Sequence, residues 1–158
     1  MSGTAQPVPP QLERVFCRLG QHDKHPWQPL PWEGVSNKVL FFDPITGATL
    51  ELAKVEEGAV FPAHYHTTMQ TLFLVAGRLK TPDGVIEAGT FNIIPAGQLH
   101  GPFVAEEEAV QFKYFSSTPV YILGDGTTLI YRPDGRTIAA GRLDFVKEIR
   151  AANFIALE

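Results

Sequence analysis

Short apolar segments separated by turn residues make up most of the chain after Ser36. KVLFFD is followed by the turn PITG and by ATLELAKVEEG; TLFLVAGRLK is followed by TPDG and VIEAGTFNIIPAG; AVQFKYFSS precedes PVYILGDGTTLIYRPDGRT. Segments of this length, with Asp-Gly and Pro-x-x-Gly turns roughly every 8–12 residues, are typical of antiparallel strands. The pattern predicts an all-β sandwich or barrel.

The two ends of the chain depart from this pattern. The first 11 residues are polar and proline-bearing, and residues 21–33 contain three prolines and two tryptophans. We therefore predict an N-terminal arm over residues 1–35, which lies on a β-domain formed by residues 36–158. After Gly141, apolar residues in GRLDFVKEIRAANF recur at helical spacing. This spacing predicts a short C-terminal helix.

Composition narrows the classes of protein that fit. A chain of 158 residues is long enough for one domain. Its net charge is −4 and its basic residues are scattered singly, which disfavours binding to nucleic acid or to an anionic membrane. A single cysteine, Cys17, rules out an intrachain disulfide and a thiolate metal cluster. The N-terminus lacks the pattern of a signal peptide, and no apolar run reaches the roughly 18 residues of a membrane-spanning helix. We expect a cytoplasmic globular protein.

Histidine spacing provides the candidate chemistry. His64 and His66 alternate within a predicted strand, so their side chains point to one face. Gln70 falls on the same parity at the start of the next strand, and His100 follows the loop PAGQL. Neutral imidazole is a common ligand for zinc, iron, copper and nickel. The pattern predicts a divalent metal site with exchangeable positions left for another ligand.

Two stretches resemble the motifs of the cupin superfamily. GAVFPAHYHTTMQTLFLVAG (58–77) is similar to G-x5-H-x-H-x3-E-x6-G, with Gln70 where glutamate usually stands, and GTFNIIPAGQLH (89–100) is similar to G-x5-P-x-G-x2-H. The resemblance implies a single jelly-roll-like β-barrel with a metal held by His64, His66 and His100. It does not give the reaction, because cupins include dioxygenases, isomerases, storage proteins and sensors.

Gln70 is the informative departure from the cupin pattern. Three neutral imidazoles and a neutral amide leave the full +2 charge of a divalent metal, whereas a carboxylate would halve it. Such a site favours a small, anionic, chelating substrate such as a dicarbonyl enolate or an α-hydroxyketone. We predict a catalytic role for Gln70, either as a weak ligand or as a donor to a bound oxygen.

A three-histidine cupin without the glutamate is similar to the non-haem iron dioxygenases that cleave carbon–carbon bonds in acetylacetone and dihydroxyacetophenone. The tail from GDGTTLIY onward also resembles that group. The resemblance implies a dioxygenase that uses Fe(II), with zinc or nickel in the site of purified protein, and that cleaves a small diketone or hydroxyketone.

Two other functions stay open at this point. VLFFDPITGATLELAKVEEGAVFPAHYH resembles the cupin domain of anti-sigma factors that hold zinc and sense oxidants, although the region before Ser36 is too short and proline-rich for their sigma-binding domain. That resemblance implies a non-enzymatic, metal-dependent binder or sensor. A sugar or keto-acid isomerase usually needs a base near the metal; none lies on the right strand parity, although the fold could place Glu87 or Tyr114 there.

Strand parity also predicts the wall of the substrate pocket. Leu72 shares the parity of Gln70, and Phe41 lies in the first long apolar segment. In AVQFKYF one of two alternating sets faces the interior, and we predict the more apolar set: Val110, Phe112 and Tyr114 rather than Gln111, Lys113 and Phe115. The predicted substrate-binding residues are therefore Phe41, Leu72, Phe112 and Tyr114. Small cupins resemble one another in pairing barrels, and with the proline-rich arm this predicts a homodimer.

Overall fold

The structure is a computed structural model that describes residues 26–43, 46–117, 119–131 and 137–142. These residues form strands and turns but no helix, and so none of them belongs to a helix able to cross a membrane. In chain order the strands are β1 (Gln28–Pro29), β2 (Val35–Phe42), β3 (Thr49–Val55), β4 (Val60–Phe61), β5 (His64–His66), β6 (Gln70–Thr81), β7 (Gly84–Glu87), β8 (Phe91–Ile94), β9 (Phe103–Phe115), β10 (Val120–Leu123), β11 (Thr127–Tyr131) and β12 (Thr137–Arg142).

The strands pair into two antiparallel sheets. The larger has the order β1-β2-β3-β9-β6-β7, with β4 also paired to β9 and β8 to β6, and the smaller has the order β12-β11-β10-β5. The all-β prediction is confirmed, but the described strands do not close into a single barrel. The C-terminal helix is predicted after Gly141; Arg142 ends β12, and the rest of the predicted helix lies outside the described residues. The division of the chain at residue 35 stays a prediction.

An apolar core joins the two sheets. It combines residues of the larger sheet with Tyr121 and Leu129 of the smaller sheet, and its members include Leu30, Val35, Val55, Phe61, Leu74, Leu79, Phe103, Ala105 and Ala109. Phe61 is fully buried, and burying a side chain of this size stabilises a fold by about 1.5–3 kcal/mol. The ring of Trp32 lies 4.9 Å from that of Phe61, so the described part of the arm packs on the core.

Gly77 marks a close approach between the two longest strands. The pairing of β6 with β9 shifts register between Ala76 and Arg78, and Gly77 lies at this irregularity with φ of 82°. A Cβ atom at this position would overlap the backbone of Glu108 and Ala109. The last glycine of the first motif is therefore required by both its dihedral angle and its neighbours.

The larger sheet has an inner face, toward the core, and an outer face. Residues directly opposite each other on neighbouring strands share a face. Glu51 pairs with Lys113 and Lys113 with Leu72, and all three are buried. Leu72 thus lies on the inner face, as predicted.

The prediction that the more apolar set of β9 faces inward is wrong. Gln111, Lys113 and Phe115 are buried, whereas Tyr114 is 37 % exposed. Phe112 alternates with the buried set and lies on the outer face. Phe41 is opposite Leu50, which is opposite Tyr114, so Phe41 also belongs to the outer face. The error arises because the outer face of this strand is more apolar than its inner face.

Candidate metal centre

Three histidines meet at one end of the smaller sheet, as the sequence predicted. His64 and His66 are the first and last residues of β5, and the alternation of the strand buries both while Tyr65 is only partly buried. His100 precedes β9 and forms two backbone hydrogen bonds with His64, at 3.0 and 3.1 Å. The three imidazole centroids are 4.3 to 5.0 Å apart.

The backbone fixes the orientation of each imidazole. Nδ1 of His64 lies 2.6 Å from the carbonyl oxygen of Pro62, and Nδ1 of His66 lies 3.2 Å from that of Val120. Nδ1 of His100 lies 2.9 Å from the carbonyl oxygen of Gln98. A carbonyl oxygen only accepts, so each Nδ1 carries the proton and donates. The Nε2 lone pairs are therefore free to bind a metal.

The donor set fits a divalent cation. The three Nε2 atoms are buried without a hydrogen-bond partner, and one ligand atom from each ring lies within 4.8 Å of the others. Burial lowers the pKa of His64 and His66 well below the ordinary value, and it lowers the pKa of His100 to about 4. Neutral, converging imidazoles are the form in which histidine binds zinc, iron or nickel.

Aromatic rings surround the three histidines. The ring of Phe61 lies 4.7 Å from that of His64, and the rings of Tyr121 and Phe115 lie 4.6 and 5.0 Å from that of His66. Phe61, Phe115 and Tyr121 are almost completely buried. These side chains limit the access of water and hold the imidazoles in place by packing.

Gln70 reaches the same interior from the larger sheet. It is opposite Phe115 in the pairing of β6 with β9, and only 1 % of its surface is exposed. Its Oε1 atom is buried without a hydrogen-bond partner. An unsatisfied amide oxygen in a buried site is suited to a ligand, a water or a metal. Contact between Gln70 and a metal stays a prediction.

Sequence reasoning missed a second polar group on the inner face. Glu51 is fully buried and Lys113 is 2 % exposed, and the two lie opposite each other on β3 and β9. Nδ2 of Asn37 donates to Oε2 of Glu51 at 3.1 Å. Burial raises the pKa of Glu51 to about 7 and lowers that of Lys113 to about 8, each effect being partly offset by the other's charge.

The sequence contained little that would have identified Glu51. TLELAKV carries apolar residues on both of its alternating sets, so either face of this strand is a reasonable interior. The isomerase hypothesis proposed two other groups as bases. Glu87 is exposed and pairs with Arg78 at 3.0 Å, and Tyr114 faces outward. Neither residue lies on the inner face, where the buried carboxylate is that of Glu51.

Two surface cavities differ in their relation to the histidines. A recess of about 170 Å³ borders His100 and is also lined by Thr81, Asp83, Asn92 and Phe103. A larger cavity of about 680 Å³ lies beside Trp32 and the acidic residues 33, 56 and 57, and contains none of the site residues. The smaller recess is therefore the better candidate for an entrance.

Comparison with known proteins identifies the family. A family model described as the ChrR cupin-like domain matches residues 18–118, more than half of the chain. The chain belongs to this cupin family. No curated protein matches the sequence.

Solved structures similar to this cupin include enzymes and a regulator. An acetylacetone dioxygenase from Acinetobacter johnsonii is 18% identical with a TM-score of 0.58, covering 94% of this chain and 97% of that chain. A provisionally assigned acetylacetone dioxygenase from Methylibium petroleiphilum PM1 is 19% identical with a TM-score of 0.61, covering 92% and 97%. The anti-sigma factor ChrR of Rhodobacter sphaeroides, solved with SigE, is 21% identical with a TM-score of 0.52, covering 62% and 51%. At these identities the likeness shows the fold.

Proposed function

We propose that this cupin is an Fe(II)-dependent dioxygenase that cleaves a carbon–carbon bond in a small diketone or hydroxyketone. The observation that carries the proposal is the convergence of three buried, unpaired Nε2 atoms in an interior lined by aromatic and aliphatic side chains. Fe(II), when bound, supplies open coordination positions for a chelating substrate and the redox chemistry with dioxygen. The acetylacetone dioxygenases among the similar folds support this reaction class.

The protein's own residues position and shield the substrate. The three Nδ1 hydrogen bonds to backbone carbonyls hold the imidazoles in one orientation, so little reorganisation is needed when metal or substrate binds. Leu72, Phe61 and Phe115 are almost completely buried and exclude water. The amide of Gln70 can donate to a substrate oxygen without reducing the positive charge of the site.

Anaerobic reconstitution with Fe(II), followed by a panel of diketones and aryl hydroxyketones in an oxygen electrode, tests the proposal. We expect oxygen uptake equal to substrate loss for at least one compound of the panel. Protein loaded with Zn(II) serves as the control, because the same site then lacks the redox chemistry. Iron-loaded protein that binds these compounds without consuming oxygen would contradict the dioxygenase.

A metal-dependent binder or sensor is the second candidate. It is supported by the family description, which is that of the ChrR cupin-like domain. The same experiment separates the two functions: the binder predicts tight ligand binding with no oxygen consumption, and the dioxygenase predicts turnover.

A Gln70→Glu variant tests the role given to the neutral amide. The added carboxylate lowers the net charge near the metal, so affinity for an anionic chelator should fall by roughly tenfold or more. Metal content measured on the same sample controls for loss of the site. Unchanged affinity at full metal occupancy would show that the charge at position 70 does not act on the ligand.

A further inference from the structure

A buried lysine faces the interior that the three histidines share. Lys113 lies on the inner face of β9, and its Nζ atom is 4.6 Å from the ring centroid of Phe61. That same ring lies 4.7 Å from the ring of His64. One aromatic side chain thus contacts both the ammonium group and the candidate metal centre. A lysine is almost never buried in this way unless its charge is balanced.

The protein balances this charge only in part. Glu51 is opposite Lys113, but none of the ion pairs formed by the described residues includes Lys113. The carboxylate of Glu51 instead accepts a hydrogen bond from Asn37 through Oε2, and its Oε1 atom has no hydrogen-bond partner. Both polar atoms of the neighbouring Gln111 amide are also buried without a partner. The inner face therefore holds a cation without a contacting anion, and several unsatisfied polar atoms.

Metal binding would increase the imbalance. A divalent metal at three neutral histidines adds two positive charges to that of Lys113, while Glu51 offers one negative charge. Like charges in a low-dielectric interior repel strongly, and the simplest relief is an anionic ligand that lies between them. Its size is limited by the surroundings, since Phe61, Leu72 and Phe115 on this interior are almost completely buried.

We propose that Lys113 binds a second, negatively charged oxygen of the ligand, so that this cupin selects small chelators bearing a carboxylate, such as β-keto acids or dicarboxylates, over neutral diketones. Glu51, held by Asn37, acts as a positioning residue that keeps the ammonium directed into the interior. The inference rests on the metal centre of the proposed function and changes its expected ligand from a neutral diketone to a chelator that carries a carboxylate.

Three probes of equal size test this selectivity: acetylacetone, acetoacetate and malonate, in which one and then both methyl groups are replaced by a carboxylate oxygen. Their dissociation constants are measured by calorimetry, without oxygen, on full-length protein loaded with Ni(II). We expect malonate and acetoacetate to bind more tightly than acetylacetone. Lys113→Met should remove about tenfold to a hundredfold of this preference while Ni(II) stoichiometry stays unchanged. Lys80→Met, at an exposed position of β6, is the matched control and should leave the preference intact.

A Glu51→Gln variant provides a result of opposite sign, should Lys113→Met fail to fold. Removing the opposing carboxylate should strengthen malonate binding relative to acetylacetone. The proposal is overturned if either folded variant changes the affinity of all three probes by the same factor, or if wild-type protein does not discriminate among them. Wild-type protein that takes up no metal would overturn the proposed function as well, whereas metal-loaded protein without selectivity overturns the role of Lys113 alone.

Discussion

The inner and outer faces of the larger sheet each depart from the usual distribution of side chains, the inner face by burying polar groups among its apolar residues and the outer face by exposing large apolar ones. The inner face of β3, β9 and β6 buries two charged residues and two amides: Glu51, Lys113, Gln111 and Gln70. The outer face of β6, β8 and β9 exposes a run of large apolar residues: Phe73, Phe91, Ile93 and Tyr114. Burying unpaired polar groups lowers the stability of a fold, and an exposed aromatic ring does not gain the stabilisation that its burial would give. The arrangement is therefore expected where both faces bind something.

The two faces indicate two different kinds of binding. A buried charge that no contacting group of opposite charge balances, such as that of Lys113, implies a ligand of complementary charge. An exposed apolar patch implies a surface that another molecule covers. Successive residues of a strand point to opposite faces of the sheet, so Lys113 lies on the inner face and its neighbour Tyr114 on the outer face.

Removal of the histidines should have the largest effect. His64→Ala combined with His100→Ala leaves one imidazole in the site, and we expect metal content to fall from nearly one ion per chain to nearly none. Elemental analysis of protein purified without an affinity tag measures this. Tyr65→Ala, which changes the residue between the two strand histidines, is the control and should keep its metal. Full metal content in the double variant would refute the site.

The charged pair on the inner face should give the next largest effect. Lys113→Met leaves the carboxylate of Glu51 buried without a cation, which we expect to lower the free energy of unfolding by about 2–4 kcal/mol at pH 8. Combining it with Glu51→Gln should recover part of the loss, with a coupling energy of about 1–3 kcal/mol. Urea unfolding of metal-free protein measures both values.

The sequence neighbour on the outer face is the control for this pair. Tyr114→Thr keeps a residue that favours strands and should change stability by less than about 1 kcal/mol. Equal losses for Lys113→Met and Tyr114→Thr would mean that the two faces do not differ in the way proposed.

Features that depend on neighbouring residues could be predicted from the sequence, whereas features that depend on the pairing of distant strands could not. The shared face of His64 and His66 follows from strand alternation, which is local, whereas His100 meets His64 through a long-range bridge and is assigned to the cluster by the resemblance to the cupin motifs. The inner face of β9 depends on its pairing with β3, some sixty residues earlier in the chain. The pattern of apolar and polar residues predicted that Phe112 and Tyr114 face the interior, because such a prediction assumes that the more apolar set of a strand is buried. That assumption fails where an interior binds charge and an exterior is apolar.

Protonation of Glu51 provides a test that isolates the inner face. Burial raises the pKa of this carboxyl from 4.5 to about 7, so between these values the folded protein retains a proton that the unfolded chain has lost. The carboxyl therefore lowers stability progressively as pH rises from 4.5 to 7. Glu51→Gln lacks this effect, so its stability relative to wild type should increase by on the order of 1–3 kcal/mol over that range.

The comparison with the variant cancels the titration of groups whose pKa does not depend on Glu51; Lys113 is the exception, because the charge of Glu51 raises its pKa. The buried histidines have lowered pKa values and destabilise the protein as pH falls, but they are present in both proteins. Urea unfolding with a chelator at pH 4.5, 5.5 and 7 gives the difference directly. Glu57→Gln, at an exposed position, should show a constant difference. The same constancy for Glu51→Gln would show that the carboxyl is not perturbed by burial.

The outer face should give the smallest effect on the stability of one chain and a clear effect on assembly. Phe91 and Ile93 are 60 % and 57 % exposed and lie opposite Phe73 and Thr71, so the apolar patch is continuous across β8 and β6. We propose that a second copy covers this patch in the homodimer predicted from the sequence, because a two-fold interface pairs a patch with itself.

Ile93→Lys places like charges together across such an interface while removing little buried area within the chain. It should change the free energy of unfolding of the separated chain by less than about 1 kcal/mol, yet sedimentation should shift from a dimer to a species of 17.4 kDa. Val85→Lys, an exposed apolar position near the far end of β6, should leave the dimer intact. A wild-type monomer at micromolar concentration would disprove the dimer, and a dimer that tolerates Ile93→Lys would place its interface on another surface.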